Sequence, residues 1–180
     1  MKLIDQILKE VNDVVSNVNG KEVYEVVNII DKSNSIFVDG EGRSGFQAKG
    51  FAMRLMHIGY KSYVIGETIT PALKKNDIYI AISGSGTTKN TLSNARSAKD
   101  LGLKVIAVTS KRNSSLGEIA DIILVVPGKV KGDGEGGSIQ LLSSLFDQAV
   151  HIVLDWVCLL ISKRDNFSNK EALNNHVNVE

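Results

Sequence analysis

The chain has 180 residues, of which 43% are hydrophobic and 23% charged, and its formal net charge is +1. This length fits one domain with a substantial core, since a domain of about 150 residues buries roughly 70% of its unfolded surface. The near-neutral charge gives no electrostatic reason for nucleic acid or a membrane surface as a partner. Cys158 is the only cysteine, so no internal disulfide can form, which favours a reducing compartment.

Residues 1–18 alternate apolar and polar side chains at helical spacing, which predicts an amphipathic helix. No uninterrupted apolar stretch reaches the ~18 residues that a membrane helix needs. We therefore expect a cytoplasmic protein. A second helix follows through residues 23–30.

Strands and helices alternate beyond residue 34, which is typical of a parallel sheet covered by helices. We expect an α/β three-layer sandwich with a five-stranded parallel sheet. It forms a single domain, with N-terminal helices in 1–33, the α/β core in 34–165 and a tail in 166–180. The predicted strands are 35–39, 61–65, 77–82, 104–109 and 122–126, and the predicted helices of the core are 46–58, 88–101, 113–120 and 140–163.

A glycine-rich segment, defined here as residues 128–137, precedes the last long helix. It holds five glycines and one apolar residue, Val130. Such a composition predicts a mobile surface loop. The loop could act as a lid, and an untied connector is an equal alternative.

Two loops fall at the carboxyl ends of predicted strands, where an open parallel sheet binds its ligands. The first, Gly-Glu-Gly-Arg-Ser-Gly at 40–45, offers free backbone amides and close approach at glycine. The second, Ser-Gly-Ser-Gly-Thr-Thr at 83–88, adds four hydroxyls that suit a phosphate or a polyol. One hydroxyl would suffice to cap the next helix, so the larger number favours a ligand over a cap alone.

Gly40, Gly42 and Gly45 also match the G-x-G-x-x-G pattern of dinucleotide-binding folds, with Glu67 where an acid would meet a ribose hydroxyl. This dinucleotide-binding alternative is less favoured. The chain has no room for a dehydrogenase's substrate domain, and a nicotinamide site gives no reason for the second hydroxyl loop.

Several segments together resemble the successive motifs of the 6-phospho-3-hexuloisomerases, members of the sugar isomerase (SIS) domain superfamily. The resemblance runs nearly end to end. It implies a flavodoxin-like sheet, a homotetramer with sites at subunit interfaces, no cofactor or metal, and interconversion of D-arabino-3-hexulose 6-phosphate and D-fructose 6-phosphate. The matching segments are 42–45, 51–59, 66–71, 82–88, 138–140, the Leu145-Phe146 pair and 175–178.

The resemblance also implies roles for individual residues. The phosphate would lie on the hydroxyl loop, with Ser44 helping from the first loop. Arg43 and Glu67 would face the sugar or a neighbouring subunit, although a structural salt bridge is an equal alternative for Arg43. The residues that the resemblance places on the phosphate are Ser83, Ser85 and Thr88, and Thr87 is a further candidate because it is a hydroxyl of the same loop.

Moving a carbonyl between adjacent carbons needs a base next to the carbonyl and a group that moves a proton between oxygens. The resemblance gives these roles to Asp147 and to His176, which would reach the site across a subunit interface. The chain departs from the family pattern here, since the family has Pro, Met, Gly and then Glu where this sequence reads Leu-Leu-Ser-Ser-Leu-Phe-Asp at 141–147. Either the backbone has adjusted to the shorter Asp147, or the enzyme is slow, or the protein is a sugar-phosphate sensor without turnover.

Overall fold

A computed structural model describes residues 2–134 and 136–179, and within these ranges it forms a five-stranded parallel sheet and seven helices. The strand order is β2-β1-β3-β4-β5. This is the flavodoxin-like order. It confirms the predicted α/β class. The strands are β1 Ile36–Gly40, β2 Ser62–Val64, β3 Ile78–Ile82, β4 Lys104–Thr109 and β5 Ile122–Val125, and the helices are α1 Leu3–Ser16, α2 Gly20–Ile29, α3 Gly42–His57, α4 Lys89–Asp100, α5 Ser115–Ile119, α6 Ser144–Arg164 and α7 Asn169–Asn174.

Helices cover both faces of the sheet, so the side chains that alternate along a strand enter two separate cores. Ile78 and Ile80 of β3 join the core beneath α1, α2, α3 and α6. Tyr79 of β3 joins the second core, beneath α4 and α5. The two cores on opposite faces make the three-layer sandwich that the sequence predicts.

The long helix α6 is apolar enough to span a membrane by composition, with a mean hydropathy of 1.6 over an 18-residue window. In the fold, 56% of that window is buried. Val150, Val153 and Val157 of α6 are fully buried in the core beside α1 and α3. The helix therefore has the packing of a core helix.

Two helix starts differ from the prediction by four residues, and both lie near the candidate site. Helix α3 begins at Gly42 rather than at residue 46, so the first glycine loop forms its first turn. Glycine is required at position 45, because a Cβ there would lie 2.6 Å from the carbonyl oxygen of Gly40. Helix α6 begins at Ser144 rather than at residue 140, because Leu142 has a left-handed φ of 53°.

Candidate active site

The sheet order reverses between β1 and β3, and the loops that follow these two strands flank the resulting crevice. Gly40 pairs with Ile82, so both loops leave the sheet at the same level. Ligands of open α/β sheets bind at such a point. A cavity of about 360 Å³ opens there, lined by residues from these loops, the glycine-rich segment and the start of α6: Glu41, Gly42, Arg43, Ser44, Gly84, Ser85, Thr88, Val130, Lys131, Leu142, Ser143 and Asp147.

The hydroxyl loop, residues 83–88, has some side chains that fix its conformation and others that can contact a ligand. Ser83 is buried, and its Oγ lies 2.8 Å from Oγ1 of Thr88 and accepts the N–H of Gly86 at 3.1 Å. Ser83 therefore shapes the loop. Ser85 and Thr88 line the cavity, whereas Thr87 is exposed and donates its hydroxyl to Oγ of Ser85 at 3.0 Å.

The loop leads into α4, whose N-terminus adds backbone donors to the hydroxyls. Thr88 is the N-cap of this 12-residue helix, and its side chain makes no capping hydrogen bond. The first N–H groups of a helix have no partner within the helix and attract anions. Together, the hydroxyls of Ser85 and Thr88 and these amides form a receptor suited to a phosphate.

Asp147 faces the same cavity from the first turn of α6, and its side chain is only 1% exposed. Ser44 Oγ donates a 2.9 Å hydrogen bond to its Oδ1, and Arg43 Nε lies 3.5 Å from its Oδ2. Burial raises the pKa of Asp147 above its ordinary value, although the Ser44 hydrogen bond and the Arg43 charge partly offset this. A raised pKa makes this carboxylate a stronger base than an exposed aspartate.

Arg43 and Ser44 thus contact the carboxylate rather than the phosphate loop. Arg43 also donates from Nη1 to Oγ of Ser144 at 3.2 Å, and its side chain is 57% exposed. The two residues hold Asp147 in one orientation from the first turn of α3. This arrangement agrees with the salt-bridge alternative for Arg43 and gives Ser44 a partner that the sequence did not predict.

Glu67 does not line the cavity that holds Asp147. It pairs with Lys49, whose Nζ lies 2.7 Å from its Oε1, beside a separate cavity of about 610 Å³. The two cavities meet at Glu41 and Gly42, which line both. Glu67 therefore lies beside a neighbouring cavity, and its contact with the sugar stays a prediction.

His176 lies at the other end of the fold from Asp147. Its ring stacks on that of His57, with centroids 5.0 Å apart, and Asn175 donates its Nδ2 to the carbonyl of His57 at 2.9 Å. Ser44 and His57 stand 13 residues apart on α3, about 20 Å along a helix. Within one chain the structure does not bring the two predicted catalytic residues together.

Several cavity residues were not predicted from the sequence. Glu41 and Lys131 bring charges to the wall, and Gly84 and Val130 pack against each other beneath it. Glu41 and Gly84 lie in the two loops that the sequence predicts to bind a ligand, whereas the only signal for Lys131 was its neighbour Val130, the single apolar residue of the glycine-rich segment. Across residues 2–134 and 136–179, no three His, Cys, Asp or Glu side chains are grouped so that they could hold a metal ion.

Fold and site together define a doubly wound α/β protein with a hydroxyl-rich loop and a buried carboxylate at the switch point of its sheet. The SIS domain family model matches residues 29–152. A 3-hexulose-6-phosphate isomerase of Bacillus subtilis is 36% identical over 179 residues, covering 98% of this chain and 97% of the relative. The chain therefore belongs to the SIS domain family, and within it to the family of the 3-hexulose-6-phosphate isomerases.

Two further comparisons bear on function. A crystal structure of a Methanococcus jannaschii protein, described as inferring a 3-hexulose-6-phosphate isomerase function, matches with a TM-score of 0.84 and 31% identity over 100% of both chains. An HTH-type transcriptional regulator of Haemophilus influenzae is 30% identical over 149 residues, which cover 78% of this chain and 52% of the regulator. The same fold thus occurs as a stand-alone chain and as part of a regulator.

Proposed function

We propose that this protein interconverts D-arabino-3-hexulose 6-phosphate and D-fructose 6-phosphate without a cofactor. The observation that carries the proposal is the buried Asp147 carboxylate in the same cavity as Ser85 and Thr88. A phosphate bound on the hydroxyl loop would leave the carbon chain of its sugar in the cavity that this carboxylate lines. The full-length similarity to named 3-hexulose-6-phosphate isomerases supports the same reaction.

The chemistry is a proton transfer through a 2,3-enediol. Starting from fructose 6-phosphate, the Asp147 carboxylate takes the proton on C3, and the electrons of the C3–H bond form the C2=C3 double bond while O2 gains a proton. Loss of the O3 proton then forms the C3 carbonyl, and Asp147, which exchanges its proton with solvent while the enediol is bound, delivers a proton to C2. Atoms and charge balance without an oxidant or reductant, so the reaction needs only a base and a group that moves the proton between O2 and O3.

We infer that a partner subunit supplies His176 for the transfer between O2 and O3. Leu3, Ile4 and Leu8 of α1 are more than half exposed, which supports assembly into the expected homotetramer. Asp147→Asn and His176→Ala should each be inactive alone. Mixed and reassembled tetramers should regain part of the activity, because some sites would combine an intact Asp147 with an intact His176. Mixing without recovery would contradict a histidine supplied in trans.

The alternative is a sugar-phosphate sensor that binds without turnover, which the similarity to part of a transcriptional regulator favours. Incubation with fructose 6-phosphate separates the two functions. The isomerase should yield a second ketohexose 6-phosphate, visible by NMR, and Asp147→Asn should yield none. A thermal shift with fructose 6-phosphate and no second sugar would favour the sensor instead, since a ligand that binds only the folded state raises its stability.

A further inference from the structure

The glycine-rich segment is packed onto the active site rather than free. Val130 is only 2% exposed and lies in the core beside Phe146 of α6. A Cβ on Gly84 of the hydroxyl loop would lie 2.5 Å from Cγ1 of Val130, so the two residues are in direct contact. Val130 therefore joins the segment to the phosphate loop on one side and to the helix of Asp147 on the other.

Hydrogen bonds fix the backbone on both sides of the next residue, Lys131. Its N–H donates to Oγ of Ser143 at 3.1 Å, just before α6. Asp133 accepts the N–H of Val130 at 2.9 Å and pairs with Lys111 at 2.5 Å. The Lys131 side chain starts from a fixed point on the wall of the cavity.

Among the described residues that line the cavity, the cations are Arg43 and Lys131, and the ion pair found is that of Arg43. Arg43 is engaged by Asp147 and Ser144, and Glu41 adds a negative charge to the wall. Among the described residues, the ion pair of the glycine-rich segment joins Asp133 to Lys111 and does not involve Lys131. Without Lys131, only hydroxyls and helix amides would contact the phosphate. A phosphate group carries a charge of about −1.5 to −2 at neutral pH, which these neutral groups do not balance.

We propose that Lys131 donates a charge-assisted hydrogen bond to the phosphate of the substrate and so sets the preference for phosphorylated sugars. The proposal rests on the proposed function, since it names a binding residue of the same site. A lysine ammonium binds phosphate as a point charge on a flexible stem, which suits a residue that reaches across a cavity from a fixed backbone. The glycine-rich segment then contributes to binding through one side chain.

The test measures the affinity of the full chain for fructose 6-phosphate and for inorganic phosphate by calorimetry. Lys131→Gln should weaken both affinities by about tenfold or more, as expected for loss of a hydrogen bond to a charged group. Lys131→Arg should keep affinity within about threefold of wild type, because it keeps the charge. Lys129→Gln is the matched control, since Lys129 belongs to the same segment but lines a different cavity; it should leave both affinities unchanged.

Steady-state kinetics distinguish a phosphate-binding role of Lys131 from a structural role. A structural role would change kcat together with KM. Lys131→Gln should raise KM for fructose 6-phosphate by about tenfold with kcat changed less than threefold, since the lost contact is to the phosphate in both ground and transition states. Equal affinity in Lys131→Gln and wild type, or an equal loss in Lys129→Gln, would overturn the proposal.

The failure of the isomerase function would look different. If wild type binds inorganic phosphate and fructose 6-phosphate without turnover, and Lys131→Gln loses both, the role of Lys131 stands while the isomerase function fails. If wild type isomerises and Lys131→Gln has an unchanged KM, the function stands and the role of Lys131 fails. If neither probe binds to wild type, both proposals fail.

Discussion

Ser44 Oγ donates a 2.9 Å hydrogen bond to Oδ1 of Asp147 and so joins the first turn of α3 to the first turn of α6. The two residues are 103 positions apart in the sequence. Their contact depends on the early start of α3, which places Ser44 within a helix rather than in a loop. The buried carboxylate is thereby held in one orientation toward the cavity.

Ser44→Ala should lower kcat by roughly tenfold or more, because small misplacements of a catalytic group have large effects on rate. The hydrogen bond lowers the pKa of Asp147, so its loss should raise that pKa further and move the acidic limb of the kcat profile to higher pH. Ser97→Ala is the control, because Ser97 bonds only the carbonyl of Ser93 on an exposed stretch of α4. A variant with the wild-type profile would show that Ser44 does not tune this carboxylate.

Asp147→Asn should be inactive and yet more stable than wild type at pH 7. Burial raises the pKa of Asp147 in the folded state, so the folded protein binds more protons than the unfolded chain between the two pKa values. The free energy of unfolding of wild type therefore falls as pH rises through this window. Asparagine does not titrate, so the gap in Tm between variant and wild type should be largest at pH 7 and should shrink toward about pH 4, near the pKa of a free aspartate.

The measurement is the Tm of both proteins between pH 4 and pH 7. An advantage of about 1 kcal/mol corresponds to about 2–4 °C for a chain of this size. A lower Tm of Asp147→Asn at pH 7 would mean that the Arg43 and Ser44 contacts outweigh the burial of the charge.

Gly84→Ala should destabilise the fold by about 1–3 kcal/mol, since overpacking a dense core has effects of this size. The new Cβ would lie 2.5 Å from Val130 and 3.0 Å from Phe146, so it should also displace the glycine-rich segment and weaken phosphate binding. Gly20→Ala is the matched control, because a Cβ at the start of α2 meets nothing within 4 Å. Urea unfolding should show the control at or slightly above wild-type stability. Equal stability of both variants would contradict the packing of Val130 on Gly84.

Glu10→Ala should release residues 138–140, which follow the glycine-rich segment, and so loosen the segment itself without unfolding the protein. Glu10 accepts hydrogen bonds from Ser138 Oγ at 2.7 Å, from the N–H of Ile139 at 2.8 Å and from Gln140 Nε2 at 3.1 Å. Limited trypsin digestion should then cut faster at Lys129 and Lys131. Glu25→Ala, on the exposed face of α2, should digest like wild type. Unchanged cleavage in Glu10→Ala would show that other contacts hold the segment.

The same Glu10 contacts should respond to acid. Burial raises the pKa of Glu10, but the hydrogen bonds from Ile139, Ser138 and Gln140 outweigh it and hold the pKa below its ordinary value. A lowered folded-state pKa contributes stability above the unfolded pKa that is lost as pH falls through the folded pKa. Hydrogen exchange of the Ile139 amide should therefore speed up on acidification, relative to the intrinsic rate, more in wild type than in Glu10→Ala.

The architecture followed from local patterns, because each predicted strand is an apolar run and each helix has periodic spacing. The starts of α3 and α6 did not, since they depend on a close backbone approach and on one backbone angle that the apolar pattern does not reveal. Gly45 allows α3 to approach β1, and Leu142 adopts a left-handed conformation while Leu141 and Leu142 stay exposed. The apolar character of Leu141 and Leu142 suggested that α6 begins at residue 140, and this prediction was wrong.

The hydroxyl loop could be predicted because it follows a strand, and Asp147 could be predicted because of the family resemblance. Contacts between distant parts of the chain could not be predicted. Ser85, Thr88 and Asp147 share a cavity as expected. Val130 was expected in a mobile loop, and it is buried instead because it fills the space above Gly84. Glu67 lines a neighbouring cavity and pairs with Lys49, a partner that no motif indicated.

The most direct test of the account is proton exchange in heavy water. Wild type, Asp147→Asn and Asp147→Glu are each incubated with fructose 6-phosphate, and deuterium at C3 is followed by NMR. The account predicts exchange by wild type, none by Asp147→Asn, and exchange by Asp147→Glu, which keeps the carboxylate. Exchange that continues in Asp147→Asn, or a wild type that binds the sugar phosphate without exchanging C3, would contradict the role of Asp147 as the base of an enediol reaction.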